Sequence, residues 1–191
     1  MKTLILNGAL RGGTVLDRAE EILVENLGSA GWTPEVYTLR EVAVGLCTGC
    51  FGCWIRTPGT CVINDAGRDI ARKAIQSDLL VFLTPVTFGG YSSELKKAVD
   101  RFIPIVSPFF ARVHGEVHHK PRYKRYPRLL GIGEALHNDD ESEGIFQTLV
   151  RRNGINFYSP AQEAAIVRPD QEIREIKEMV GELLVKVGVA V

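Results

Sequence analysis

Short runs of consecutive apolar residues alternate along this chain with stretches whose apolar residues return every three or four positions, the signature of strands alternating with amphipathic helices. Thr3 to Leu6 is the first run and ends in Asn7-Gly8; Val15, Leu16, Ala19, Ile22, Leu23 and Leu27 then follow at helical spacing. Trp32 to Leu39 reads as a second strand. After it, Asp65 is placed to cap a helix carrying Ile70, Ala71, Ala74 and Ile75 on one face. Leu79 to Leu83 has no polar interruption, as a central strand covered on both faces requires, and it ends at Thr84-Pro85. Gly89-Gly90 open a loop, Ser92 or Ser93 can cap the next helix, Leu95, Ala98, Val99, Phe102 and Ile103 form its stripe, and Pro104 closes it.

Residues 105–127 break the alternation with three prolines, three histidines and many basic residues, and are expected to be an inserted loop. Arg128 to Gly133 resumes it as a fourth strand. Asp140 and Glu143 mark the start of a helix burying Ile145, Phe146, Leu149 and Val150, and a fifth strand is expected within Asn156 to Val167. Pro169 suits the first position of a last helix, whose Ile173, Ile176, Val180, Leu183, Leu184 and Val187 keep one face apolar. Strands each followed by a helix predict an α/β fold: one domain over residues 1–191, a doubly wound three-layer sandwich on a five-stranded parallel sheet of order 2-1-3-4-5. Ligands of such a sheet lie outside the carboxyl ends of its strands where strand order reverses, between the loops after strands one and three.

Composition changes this picture little. The 191 residues carry 23 basic and 23 acidic side chains, so neither nucleic acid nor an anionic membrane is expected as partner, and small molecules are favoured. The first residues have one positive charge and an apolar run too short for a signal peptide, and no segment approaches the ~20 apolar residues of a membrane span, so a cytoplasmic location is expected. All four cysteines lie between Cys47 and Cys61; in a reducing compartment that clustering points to metal or redox chemistry.

The first loop, Asn7 to Thr14, leads straight into a helix whose first N–H groups lack partners. It is a candidate anion site in which Gly8 and Gly13 let the backbone approach, Thr14 offers a hydroxyl and Arg11 a charge; an ordinary strand-to-helix turn explains the glycines equally well. The third loop combines Pro85, Val86, Thr87, Phe88, Gly89 and Gly90 with Tyr91, placing a rigid proline, permissive glycines and two aromatics at the expected edge, a setting for a flat ligand. The block from Thr84 to Arg101, through Ser92-Ser93-Glu94-Leu95-Lys96-Lys97-Ala98-Val99-Asp100, resembles the flavin-contacting loop and helix of NAD(P)H-dependent FMN reductases, members of the flavodoxin-like superfamily with quinone reductases and iron–sulfur flavoproteins.

The resemblance covers about the first two-thirds of the chain and implies a flavodoxin-like fold, bound FMN, NAD(P)H as electron donor, a small-molecule acceptor, no side chain acting as acid or base, and a homodimer or homotetramer. It assigns the FMN phosphate to Gly8, Arg11, Gly13 and Thr14, and the ring and ribityl chain to Pro85 through Gly90. One departure stands out: Ala9 occupies a place where the family usually carries serine, and the loop is shortened, which removes one phosphate hydrogen bond.

Cys47, Cys50 and Cys53 fall three residues apart with Cys61 eight further on, similar to the compact motif of iron–sulfur flavoproteins, in which four thiolates hold a [4Fe–4S] cube. Zinc and free thiols stay open as alternatives. In the insertion, His114, Glu116, His118 and His119 offer a second metal reading against that of a solvated, substrate-covering or subunit-contacting loop. Arg122, Tyr123, Lys124, Arg125 and Tyr126 are placed to meet an NAD(P)H phosphate or shelter a flavin face. The reading that follows is an FMN-dependent NAD(P)H oxidoreductase or electron-transfer flavoprotein with the cluster. Its rivals are a cluster-free NAD(P)H:quinone or FMN reductase and a non-catalytic module that has lost the cofactor.

Overall fold

A computed structural model describes residues 1–113 and 115–190; His114, one of the candidate ligands, lies outside the described residues. Five strands, β1 (Lys2–Asn7), β2 (Thr33–Thr38), β3 (Leu79–Pro85), β6 (Arg128–Glu134) and β7 (Gln162–Val167), form one parallel sheet in the order β2-β1-β3-β6-β7. The parallel sheet is thus as expected. The strand numbers run on to seven because the insertion, expected as a loop, is itself a hairpin of β4 (Val106–Val113) and β5 (Glu116–Pro121) in a separate two-stranded sheet.

The unbroken apolar runs follow from burial on both faces. In β1, Ile5 packs with α1 (Val15–Ser29) and α6 (Ile173–Lys186) in a core that includes Leu16, Leu23, Val81, Ile132, Val180 and Leu184. Its neighbours Leu4 and Leu6 face the other core, shared with α3 (Ala66–Gln76), α4 (Ser93–Asp100) and α5 (Asp140–Asn156), where Phe82, Leu95, Phe146 and Val150 are fully buried. The central strands β1, β3 and β6 are almost wholly buried, while the edge strand β2 is not.

Some boundaries differ from expectation: α4 ends at Asp100, and Ile103–Ile105, with Pro104, form a separate 3-10 turn. Asp139, not Asp140, caps α5, accepting a 3.1 Å bond from the Ser142 N–H. Pro169 precedes α6 by four residues, in a turn where the Gln171 side chain accepts from the Arg168 N–H. Asp65 does stand at the N-cap of α3, but its carboxylate turns away from the helix to meet a guanidinium. That partner, Arg101, is only 1 % exposed. It grips both Asp65 oxygens at 2.8 and 2.9 Å and also donates to the carbonyls of Gly45 and Ile63, so one buried cation ties together the two flanks of the cysteine segment.

The hairpin is fastened by polar contacts to the helical layer. Trp54 Nε1 donates to the carbonyls of Ile103 and Val106, Tyr158 donates to the His119 carbonyl, and Tyr126 donates to that of Ile105. No helix among the described residues is long and apolar enough to cross a membrane.

Candidate flavin and thiol sites

The loops after β1 and β3 meet at one rim. Ser92, the N-cap of α4, accepts a bond from the Leu95 N–H and donates its own hydroxyl to the Gly8 carbonyl at 2.7 Å. Gly8 is buried there because a Cβ would lie 2.8 Å from both Leu95 Cβ and Ser92 Oγ. Its N–H bonds the Leu83 carbonyl at 2.7 Å. Both backbone groups of Gly8 are therefore spent inside the protein; the residue shapes the rim and has no hydrogen bond left for a phosphate.

Beyond Gly8, Ala9 is buried in the core and donates its N–H to the Asn7 side chain. Arg11, Gly12 and Gly13 are exposed, and a Cβ on Gly13, at φ +74°, would meet nothing within 4 Å. The glycines thus leave an open cradle in front of α1. Thr14 does not offer its donors freely: its N–H bonds Asp17 Oδ2 at 2.9 Å, and its hydroxyl lies 3.4 Å from the same oxygen.

A residue that spacing did not single out completes the cradle. Arg40, in the short 3-10 turn after β2, brings Nη2 to 3.6 Å from where a Gly12 Cβ would stand. Its Nη1 is buried without a hydrogen-bond partner, in an ion pair with Asp17 Oδ1 at 3.6 Å, and Nη2 stands 3.6 Å from Glu41 Oε1. A buried guanidinium nitrogen left unsatisfied beside a glycine cradle fits an anionic ligand oxygen. Only the fold could reveal it, since Arg40 is brought to the first loop by the parallel pairing of β1 with β2. Glu134, at the end of β6, is a second residue missed: burial raises its carboxyl above the usual range against the opposing pull of Arg11.

The third loop is a tight turn. Thr87 and Gly90 exchange backbone bonds of 3.0 and 2.8 Å around Phe88 and Gly89, both at positive φ. Gly89 is pressed on α5, where a Cβ would come within 2.6 Å of Ile145. Phe88 is 95 % exposed at the tip. The Val86 N–H bonds the Glu134 carbonyl, fixing Pro85 and Val86 against the end of β6. Tyr91, the second aromatic expected at this edge, instead turns into the core between Phe82 and Phe146, where Asn153 donates to its hydroxyl and burial raises its pKa. Its ring is an apolar body that the neighbouring helix α5 can cover, so it packs rather than faces ligand.

In the cysteine segment, Cys47 and Cys50 are exposed, Cys61 is half-buried and Cys53 is buried; all four are free thiols. Gly49 and Phe51, both at positive φ, turn the chain into the four-residue helix α2 (Gly52–Ile55). A hydrogen bond from the Gly52 N–H, then one from Thr48, lowers the Cys50 pKa and favours the thiolate, the form that binds metal or reacts. Burial raises that of Cys53, and the charges of Cys61, Cys47 and Cys50 add to it. The donor set suits a soft metal or cluster in kind, but among the described residues no three Cys, His, Asp or Glu side chains are gathered at metal-holding geometry.

That statement also covers the insertion. His118 Nδ1 lies 2.8 Å from Asn156 Oδ1 and Nε2 3.1 Å from Glu116 Oε2, so both ring nitrogens are engaged, while Glu116 pairs with Arg152. His119 stacks on Phe110 and meets Trp54 at a tilt. These residues clamp the hairpin to α5 and the cysteine segment. Tyr126 is occupied by the hairpin's return, accepting from the Arg122 N–H. Tyr123 lies against Gly59, beside α3.

Comparison with known proteins identifies the family. A family model described as NADPH-dependent FMN reductase matches residues 1–122. An iron-sulfur flavoprotein of Methanocaldococcus jannaschii is 31% identical over 107 residues, 55% of this chain and 53% of that protein. One of Archaeoglobus fulgidus is 24% identical over 156 residues, 81% of this chain and 64% of that protein, so the chain spans less than two thirds of the length of either. Among solved structures, an NAD(P)H:quinone oxidoreductase from Methanothermobacter marburgensis superposes with a TM-score of 0.69 at 18% identity, covering 97% of this chain and 98% of the other. An FMN-dependent NADH-azoreductase from Bacillus anthracis gives 0.67 at 16% identity, covering 95% and 98%. At those identities the structures establish a shared fold.

Proposed function

Because this chain belongs to the NADPH-dependent FMN reductase family, we propose that it is an FMN-dependent NAD(P)H oxidoreductase acting on a small-molecule acceptor. The observation that carries the reading is the rim where Ser92 joins the loops after β1 and β3, with Arg40 beside the open Gly12-Gly13 cradle and its Nη1 lacking a hydrogen bond. Arg11, Arg40 and the free backbone of Gly12 and Gly13 would hold the phosphate, and Pro85 through Gly90 would border the ring. Thr14 contributes by holding Asp17 at the helix start, and Gly8 by letting α4 close on the loop. Bound FMN would supply hydride acceptance from NAD(P)H and delivery of electrons to the acceptor. The protein's part is to orient the flavin, keep water from one face with the Phe88 turn, and balance the phosphate charge.

Titration of the protein with FMN is expected to give saturable binding, about 2.7 kcal/mol of stabilisation at 100 times Kd, and steady NAD(P)H oxidation with a quinone. Arg40→Ala should weaken FMN by one to two decades, the loss of about 1.5–3 kcal/mol for a hydrogen bond to a charged group. Absence of any FMN-dependent thermal shift would favour a module without cofactor and end this reading.

We further infer that Cys47, Cys50, Cys53 and Cys61 hold a [4Fe–4S] cluster, which would supply one-electron chemistry beside the flavin. Two observations support this: the relatives named iron-sulfur flavoproteins, and the placement of all four free thiols on one short segment that turns through Gly49 and Phe51 into α2. Assembly would draw the exposed Cys47 and Cys50 toward Cys53. Anaerobic reconstitution should yield close to four irons and four sulfides per chain. Iron well below that, with zinc also absent, would leave the segment a free-thiol loop.

A further inference from the structure

Away from the flavin rim, a cleft of about 690 Å³ runs between α3 and the segment that returns from the hairpin, with Cys61 and Asp65 at one end and Gln76 and Ser77 at the other. Its size is that of a small-molecule site. One wall is apolar, made by Ala71 and Ile75 of α3 facing Pro104 and Ile105, with the half-exposed ring of Tyr123 alongside. The charges that face it are unequal. Four cations line it, Arg68, Arg72, Lys124 and Arg125, against the carboxylates of Asp65 and Asp69.

Both carboxylates are already paired, Asp65 from outside the cleft and Asp69 from both outside it and its own lining. Asp65 is gripped by Arg101, and Asp69 accepts from Tyr37 and pairs with Lys73 as well as Arg72. Arg125 pairs with Asp78, Arg68 donates to the Cys61 and Val62 carbonyls, and Lys124 makes no ion pair among the described residues. The cleft therefore keeps a positive balance next to an apolar wall, and Lys124 is its uncommitted charge. Low-polarity walls concentrate such a field on whatever enters.

We propose that this cleft is a second ligand site, taking a flat aromatic molecule that carries one anionic group. The ring lies on Ile75, Pro104 and Tyr123, and the anion meets Lys124 with Arg125 beside it. The occupant lies over the end of the cleft that Cys61 lines. The site stands independently of FMN binding at the rim.

The test uses 2-naphthyl phosphate as probe, with 2-naphthol and inorganic phosphate as its two halves, on the intact chain. The expected result is binding at least tenfold tighter for the probe than for either half, weakened at least tenfold by Lys124→Glu and unchanged by Arg40→Ala, which alters only the rim. Lys124 is exposed, so the variant should keep the wild-type melting temperature, and Ile75→Ala gives a second reading by weakening the probe and naphthol together. Equal binding by phosphate alone, equal binding by Lys124→Glu, or weakening by Arg40→Ala would each overturn the proposal. A protein that binds the probe here but no FMN would sink the flavin reading and leave this one standing.

Discussion

Arg101→Met should be among the most damaging single changes in this protein, lowering stability by about 3–5 kcal/mol and the melting temperature by about 6–20 °C. The reason is the asymmetry of a buried ion pair. Arg101 is almost wholly inside, and methionine would fill much of its volume, but Asp65 would keep its charge with its main partner gone. The carbonyls of Gly45 and Ile63 would lose their donor at the same time, freeing both flanks of the cysteine segment. In the cluster-free chain Cys53, buried in the wild type, should then become reactive toward maleimide.

The deficit should also depend on pH in one direction. Burial pushes the Asp65 carboxyl up, but the hydrogen bonds from Arg101 and the Gly45 N–H outweigh it and hold the group below its ordinary value. A carboxyl depressed in the folded state adds stability that is present above its unfolded pKa of about 3.9 and fades as pH falls through the lower folded value. Wild type and variant should therefore differ fully near pH 7 and converge below about pH 4, measured by urea midpoints across that range. A variant as stable as wild type at pH 7, or a gap that widens in acid, would show that Arg101 is not the clamp described.

Gly8→Ala is expected to strike the rim itself. The added methyl would sit 2.8 Å from Leu95 Cβ and Ser92 Oγ and 3.2 Å from the Leu83 carbonyl, so either α4 or the first loop must shift. Overpacking of a tight site costs about 1–3 kcal/mol. The larger effect should be on ligand: the Ser92 bond to the Gly8 carbonyl sets how closely the two loops approach, and its displacement should weaken FMN at least tenfold. Removing the serine oxygen as well, in Gly8→Ala/Ser92→Ala, should not restore affinity, because the Leu95 contact persists. Isothermal titration of wild type, single and double variants decides this; a Gly8→Ala variant that binds FMN normally would mean the loops can separate without consequence.

The apolar pattern identifies the parallel sheet because the cue is local: a strand covered on both faces has to be apolar at consecutive positions, as Leu79 to Leu83 is. The insertion escapes that cue for an equally physical reason. Prolines 108 and 121 weaken strand propensity, but an edge hairpin tolerates them, and its stability comes from Trp54, Tyr126 and Tyr158, all distant in sequence or outside its strands. The same holds for Tyr91. An aromatic beside glycines looks like a ligand-facing ring until Phe82, Phe146 and Asn153 are seen to enclose it.

The linear order of residues determined the layer architecture, the two loops that form the rim and the clustering of four thiols, because periodicity, glycine placement and short cysteine spacing are properties of neighbours along the chain. Tertiary structure decided which groups those loops still have to offer. It spent the Gly8 backbone and the Thr14 donors internally, brought Arg40 to the cradle, buried Arg101 under the cysteine segment and opened a cationic cleft beside Cys61. Hydrogen-bond satisfaction and charge pairing depend on distances between residues far apart in sequence, and only the folded chain sets those distances.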